Sequence, residues 1–256
     1  MTNQTVQFLA RPDGTSLAYQ WQEGKGVNAP CVVFLCGFMS DMGGTKAAHL
    51  ADWAAQRGHA FLRFDYFGHG QSSGPFTNGT ISRWKDDAMA MLDEVAPDRP
   101  LVLIGSSMGG WIMLLAALAR PERVQAMVGI APAPDFTEKL MWAGMSPQDQ
   151  KTIMEEGALI QPSDYDEPYT ITKALIEDGR TNQILDAPIA LTCPVRILQG
   201  QQDADVPWQH ALKTAEALAS DDVVVTLVKN GDHRLSEPAD LKRLEQTLDD
   251  LIAEAC

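Results

Sequence analysis

The run Cys31–Cys36 (CVVFLC) is apolar at every position, with no polar alternation. Such a strand is buried on both faces, which a chain achieves when helices cover both sides of a parallel sheet. The rest of the sequence keeps that rhythm. Two strands come first, Val6–Ala10 and Ser16–Gln22, joined by a turn at Pro12-Asp13-Gly14. After Cys31–Cys36 a helix is predicted over Thr45–Arg57, stopped by Gly58, then a strand over Ala60–Phe64. Ile81, Trp84, Ala88, Met91, Leu92 and Val95 fall at helical spacing. Strand Leu101–Ile104, helix Ser107–Ala119 and strand Val124–Ile130 follow. The series ends with strand Val195–Gln199, helix Trp208–Ala219, strand Val223–Val228 and helix Pro238–Ala253. Strands alternating with helices in this way predict an α/β protein with a mostly parallel, doubly wound sheet of about eight strands.

The rhythm breaks between residues 132 and 188, where the sequence reads as helices without a strand. One of these opens with Ser146-Pro147-Gln148-Asp149, a capping-box-like start with proline at the first helical position. The expected organisation is a single domain over residues 1–256 with a helical cap of about 132–188 inserted after strand six. A chain of 256 residues that is 45% hydrophobic suits one such domain.

Twenty basic against 34 acidic residues give a net charge of −14. That balance repels phosphate backbones and anionic lipid surfaces, so nucleic acid is not an expected partner. The longest apolar stretches, Cys31–Met39 and Trp111–Ala119, are too short to span a bilayer. Residues 1–10 carry neither the basic segment nor the apolar core of a secretory signal. Four cysteines, Cys31, Cys36, Cys193 and Cys256, include no CxxC spacing, so they read as buried thiols in a reducing compartment. These features set a cytoplasmic expectation.

Gly105-Ser106-Ser107-Met108-Gly109 is a G-x-S-x-G between a short apolar strand and a long apolar helix. The pentapeptide alone is weak, because any glycine-rich strand-to-helix turn can match it. Here the context fits a nucleophile: a cramped turn exposes Ser107, and the helix N-terminus places free N–H groups beside it. The plainer reading, a phosphate-binding turn, lacks the Gly-Lys-Ser/Thr or G-x-G-x-x-G that chemistry uses.

A serine hydroxyl needs a base. Among five histidines, His49 and His210 fall in predicted helices, His59 at a strand start and His69 in the glycine-rich turn after strand four. Packing or surface roles fit those four. His233 lies just past the last strand, at the carboxyl edge where open α/β sheets bind ligands. Asp203, past the preceding strand, fits the orienting acid; Asp205 and Asp135 are its rivals. Asp203-Ala204-Asp205 also has the look of a metal pair, but no third ligand lies near in sequence, and no metal or cofactor is expected. The oxyanion donors expected are the backbone N–H groups of Met108, directly after the nucleophile, and Phe38, after strand three.

Cys36–Ala47 (CGFMSDMGGTKA), Arg63–Gly74 (RFDYFGHGQSSG), Gly105–Trp111 (GSSMGGW), Cys193–Val195, Val206–Trp208 and Asp232–Arg234 together resemble the α/β-hydrolase superfamily. They are most similar to its branch of mitochondrial palmitoyl-protein thioesterases and acyl-glucuronide esterases. The likeness runs from about residue 31 to the C-terminus and includes Met154–Gly157 and Pro162–Tyr165. It implies an acyl-ester or thioester hydrolase using Ser107, Asp203 and His233 on a small-molecule acyl substrate. One departure is Cys36, where many superfamily members carry histidine.

The insertion offers Phe136, Leu140, Met141, Trp142, Met145, Met154, Tyr165 and Tyr169 as an acyl pocket; for most of them packing the insertion onto the body is the plainer role. Trp111 fits pocket floor and core equally. Two other activities remain open: an acyltransferase or cofactor-free haloperoxidase with the same triad, and a hydrolase-fold binding protein, which would ordinarily show a broken triad.

Overall fold

The computed structural model of the chain describes residues 5–26, 29–161 and 168–255. Eight strands form one sheet: β1 (Gln7–Ala10), β2 (Ser16–Gln22), β3 (Cys31–Leu35), β4 (Ala60–Phe64), β5 (Leu101–Ser106), β6 (Val124–Ile130), β9 (Val195–Gly200) and β10 (Val223–Val228). Their spatial order is β1-β2-β4-β3-β5-β6-β9-β10. The β1–β2 and β2–β4 pairs are antiparallel and the others parallel. The hairpin joining β1 to β2 turns at the predicted Pro12-Asp13-Gly14, where the Asp13 carboxylate accepts the Thr15 N–H at 3.0 Å.

Every residue of β3, β4 and β5 is buried, as unalternated apolar runs require. The helices that flank the sheet are α1 (Thr45–Arg57), α2 (Ile81–Ala90), α3 (Met108–Ala119), α6 (Trp208–Ala217) and α7 (Pro238–Ala255). Helix α2 continues into a wider turn over Met91–Val95, which is why its apolar stripe ran on past Ala90 in the sequence. Helix α1 packs on β4 and α7, while α3 lies over β3, β5 and β6 against α2.

Between β6 and β9 the structure corrects one expectation. This segment holds α4 (Pro147–Glu156) and α5 (Lys173–Thr181), but also a two-stranded hairpin, β7 (Ala158–Gln161) and β8 (Tyr169–Thr172). Both strands are only four residues long, too short for a period-two pattern to emerge from sequence. The expected start of α4 is present: the Ser146 hydroxyl accepts the Asp149 N–H at 3.2 Å, with Pro147 behind it.

Parallel register is what builds the functional rim. Leu35 lies beside Gly105, Ser106 beside Ile130, Ile130 beside Leu198, and Gly200 beside Val228. The strand ends therefore form one row, and the loops leaving β3, β5, β9 and β10 emerge side by side. Five of the six non-glycine residues with positive φ among those described are Met39, Ser107, Ala131, Asp135 and Leu235, all in loops at this rim. Backbone strain of that kind collects where a site is held in place by its surroundings.

Candidate active site

Ser107 stands between β5 and α3 at φ 55°, ψ −121°, a left-handed position that turns its side chain out of the strand. A turn this tight forces backbones together. A Cβ on Gly109 would lie 2.1 Å from the Leu35 carbonyl oxygen, so only glycine fits there. The same closeness brings the β3 loop alongside Ser107: a Cβ on Gly37 would be 3.4 Å from Ser107 Cβ.

His233 reaches Ser107 from the loop after β10. Its Nε2 is 3.0 Å from Ser107 Oγ, and its Nδ1 is 2.8 Å from Asp203 Oδ2. The Asp203 carboxylate is fully enclosed. Gln199 Nε2 donates to Oδ2 at 2.8 Å, and the Asp205 and Val206 N–H groups donate to Oδ1 at 2.9 and 2.8 Å. Four hydrogen bonds to one buried carboxylate fix its direction. Residues 126 and 30 positions apart thus meet in one hydrogen-bonded Ser–His–Asp row.

The rival acids are placed elsewhere. Asp205 is exposed at the cavity mouth. Asp135 is buried, and both its oxygens are taken by the Ile184 and Leu185 N–H groups at 2.9 and 3.0 Å. Asp203, Asp205 and His233 do bring three ligand atoms within 4.8 Å of one another. The fold thus supplies the third ligand that sequence spacing lacked. Asp203 already spends its lone pairs on four donors, so the donor set fits proton chemistry better than a cation.

The remaining histidines have other partners. His210 Nε2 meets the Pro134 carbonyl at 2.7 Å, His49 pairs with Glu245 at 2.8 Å, and His59 stacks on Trp53. His69 is buried behind the β3 loop; its Nε2 accepts the Met39 N–H at 3.2 Å and its Nδ1 faces the Phe67 carbonyl at 3.2 Å. Burial pushes His69 down to about 4. An unfolded histidine binds its proton near pH ~6.5. Stability from this residue is therefore complete above that pH and drains as pH falls toward 4, by on the order of 3 kcal/mol. His69→Gln should flatten the loss of stability between pH 7 and pH 5, read from urea midpoints. Equal losses in both proteins would show that another group carries the acid sensitivity.

The β3 loop presents the Phe38 N–H, which has no protein acceptor among the described residues, whereas its neighbours Met39 and Ser40 donate to His69 and Gly37. Met108 heads α3, where first-turn N–H groups lack helical acceptors. Cys36 lies one residue beyond β3, with its thiol 3.6 Å from the Ser40 carbonyl. Burial pushes that thiol well up, so it stays protonated and inert.

A cavity of about 730 Å³ opens on Ser107 and His233. Phe136, Leu140, Met141 and Tyr169 contribute apolar lining, and Ser40, Lys46, Arg234 and Ser236 polar lining. Of the pocket residues expected from sequence, those four apolar ones face the cavity. Trp142, Met145 and Met154 are not among the lining residues; together with Met141 and Tyr169 they pack around Ile153, Ile171 and Ile176 in a second small core. Tyr165 and the Pro162–Tyr165 match lie outside the described residues. Trp111 belongs to the core: it is fully buried, and its indole N–H donates to the Asn182 carbonyl at 3.2 Å.

A mostly parallel sheet whose serine elbow faces a histidine and an aspartate from later strand ends defines an α/β hydrolase. The signature of the serine aminopeptidase S33 family matches residues 28–160, and the chain belongs to that family. It is 41% identical to rat palmitoyl-protein thioesterase ABHD10, mitochondrial, over 97% of this chain and 82% of the relative. The crystal structure of a protein from Agrobacterium vitis S4 described as a hydrolase aligns with TM-score 0.92 and 43% identity, covering 98% of each chain. The solved structure of mouse alpha/beta hydrolase domain-containing protein 10 aligns with TM-score 0.90 and 40% identity, covering 98% of this chain and 100% of the other.

The cytoplasmic expectation is corrected by these relatives, several of which carry a mitochondrial designation at 39–41% identity. Charge and thiol content do not report compartment, because targeting segments are addresses read by receptors rather than parts of a fold. No described helix is long and apolar enough to cross a membrane.

Proposed function

We propose that the protein hydrolyses acyl thioesters or esters through Ser107, His233 and Asp203. The observation that carries this reading is the pair of contacts at His233, 3.0 Å to the Ser107 hydroxyl and 2.8 Å to a buried, four-donor Asp203. Ser107 Oγ attacks the acyl carbonyl carbon while His233 Nε2 takes its proton. The new oxyanion is held by the Phe38 and Met108 N–H groups. Collapse breaks the bond to sulfur or oxygen, and His233 returns the proton to the leaving group. Water then repeats the sequence on the acyl-enzyme and frees the carboxylic acid.

The cavity supports the substrate class. Its volume of about 730 Å³ falls in the range of roughly 300–1,000 Å³ for small-molecule sites. The segment between β6 and β9 serves as a cap, with Phe136, Leu140, Met141 and Tyr169 receiving the acyl chain. Relatives named palmitoyl-protein thioesterase support a thioester with a long chain.

The test is kcat/KM along an acyl series of matched esters and thioesters. Each buried methylene adds roughly 0.8 kcal/mol, about fourfold in binding, so activity should climb from acetyl and level off as the space beside the apolar lining fills. Met141→Ala should shift the optimum toward longer or bulkier chains. Met145→Ala, which opens only the separate small core, should leave it in place. A preference for acetyl unaffected by Met141→Ala would refute the acyl pocket.

A further inference from the structure

Most buried polar side chains away from the serine have plain structural duties. Asp87 receives the Phe67 N–H, Asp135 holds residues 184–185, and His210 meets Pro134. His69 differs, because the amide it binds belongs to the loop beside Ser107.

We propose that His69 is a positioning residue: its neutral imidazole accepts the Met39 N–H and so fixes the direction of the neighbouring Phe38 N–H toward the oxyanion. This rests on the serine mechanism above. Met39 sits at φ 53°, a left-handed conformation that a branchless but bulky side chain keeps only when its surroundings hold it. The hold is the 3.2 Å bond from Met39 N–H to His69 Nε2. Met39 N–H lies one peptide plane from the Phe38 amide. Anchoring that plane fixes the Phe38 Cα, and with it where the Phe38 N–H points. If released, Met39 can relax out of its strained φ and carry Phe38 with it.

The imidazole is prepared for this task. With Nδ1 as donor to the Phe67 carbonyl at 3.2 Å, Nε2 is left as the acceptor that Met39 needs. Tyr66, Phe76 and Trp84 surround the ring edge-on, at 5.7, 5.1 and 5.2 Å between centroids. Asp41, across the β3 loop, is the charged group that favours its protonation, and burial overrides it.

The same turn grips the β3 loop a second time. The Asp65 carboxylate accepts the Met42 N–H at 2.7 Å and the Gln71 N–H at 2.8 Å, and Arg63 Nη1 donates to the Met42 carbonyl at 2.9 Å. Gly70 is what lets the turn close, since a Cβ there would lie 2.2 Å from Asp65 Oδ2. Residues 63–71 therefore clamp the oxyanion loop at Met39 and at Met42. This gives the Arg63–Gly74 motif a task in the chemistry although none of its side chains touches substrate.

The test compares an alkyl trifluoromethyl ketone, whose adduct with Ser107 places an oxyanion on the Phe38 amide, with the matching methyl ketone, which binds without reacting. His69→Gln puts an acceptor near the Nε2 position; His69→Asn is too short to reach Met39, and His69→Phe keeps the bulk without an acceptor. Asn and Phe should weaken the trifluoromethyl ketone and lower kcat by about 10- to 100-fold, less than the roughly 10²–10³-fold cost of deleting a donor outright. KM and the methyl ketone should stay within about twofold, and Gln should stay within about threefold of wild type throughout, because only transition-state binding is touched. Equal weakening of both ketones, or Gln as impaired as Asn, overturns the proposal; if the Phe variant does not fold, the Gln and Asn pair decides. A wild-type protein indifferent to the trifluoromethyl ketone removes the serine mechanism itself, whereas inhibition of wild type without a Gln–Asn difference removes only the role of His69.

Discussion

Ser107→Ala is expected to abolish labelling by a fluorophosphonate and to lower kcat by about six orders of magnitude, the cost of losing a triad serine elsewhere. The fold should survive. The Ser107 hydroxyl makes no helix-capping bond, and its partner is His233 Nε2 at 3.0 Å. Alanine keeps the Cβ that the φ of 55° already accommodates, so the elbow gains no new strain. Ser106 is the control. It lies buried in β5 beside Ile130, and Ser106→Ala should leave labelling in place. Stoichiometric labelling measured by mass spectrometry, with Tm recorded for each variant, separates the two serines. Labelling that persists in Ser107→Ala and vanishes in Ser106→Ala would mean the elbow has been assigned to the wrong residue.

Asp203→Asn is expected to lower kcat by about four orders of magnitude with little change in KM. The amide changes what Asp203 offers to His233 Nδ1, so the imidazole loses both its enforced tautomer and the charge that stabilises it once protonated. Asp205→Asn should be nearly silent, because that side chain is exposed and its bond to Asp203 comes from its backbone. Asp135→Asn should behave differently from both. It disturbs a buried carboxylate that accepts two backbone N–H groups, so stability should fall by roughly 1–3 kcal/mol while kcat of the folded enzyme holds. Rate and urea midpoint measured on the three variants distinguish the outcomes. A folded Asp135→Asn protein that has lost its turnover, beside an active Asp203→Asn protein, would move the acid to the loop after β6.

Much of this site is legible in the chain because each piece has a local signature. Ser107 is marked by its glycines and by the switch from apolar strand to apolar helix. His233 and Asp203 are marked by falling just past strand ends, where an open parallel sheet places its ligands. The hairpin β7–β8 was not legible, since four-residue strands in an insertion carry no period of their own. Nor was the split of the methionines: Met141 lines the cavity as well as packing on the small core, whereas Met145 packs on the small core without lining the cavity, yet both are apolar residues in one stretch. His69 reads as a turn histidine. Its bond to Met39 spans 30 residues and depends on how the loops after β3 and β4 nest.

The sequence by itself determined the doubly wound sheet, the strand-to-helix turn that carries Ser107 and the chain order of Ser107, Asp203 and His233, because hydrophobic period and turn chemistry are local properties that survive without tertiary context. Tertiary structure alone decided which aspartate faces the histidine, which side chains line the cavity and what holds the loop after β3. Those choices rest on distances of about 3 Å between residues far apart in the chain, and such distances exist only after parallel register has aligned the strand ends.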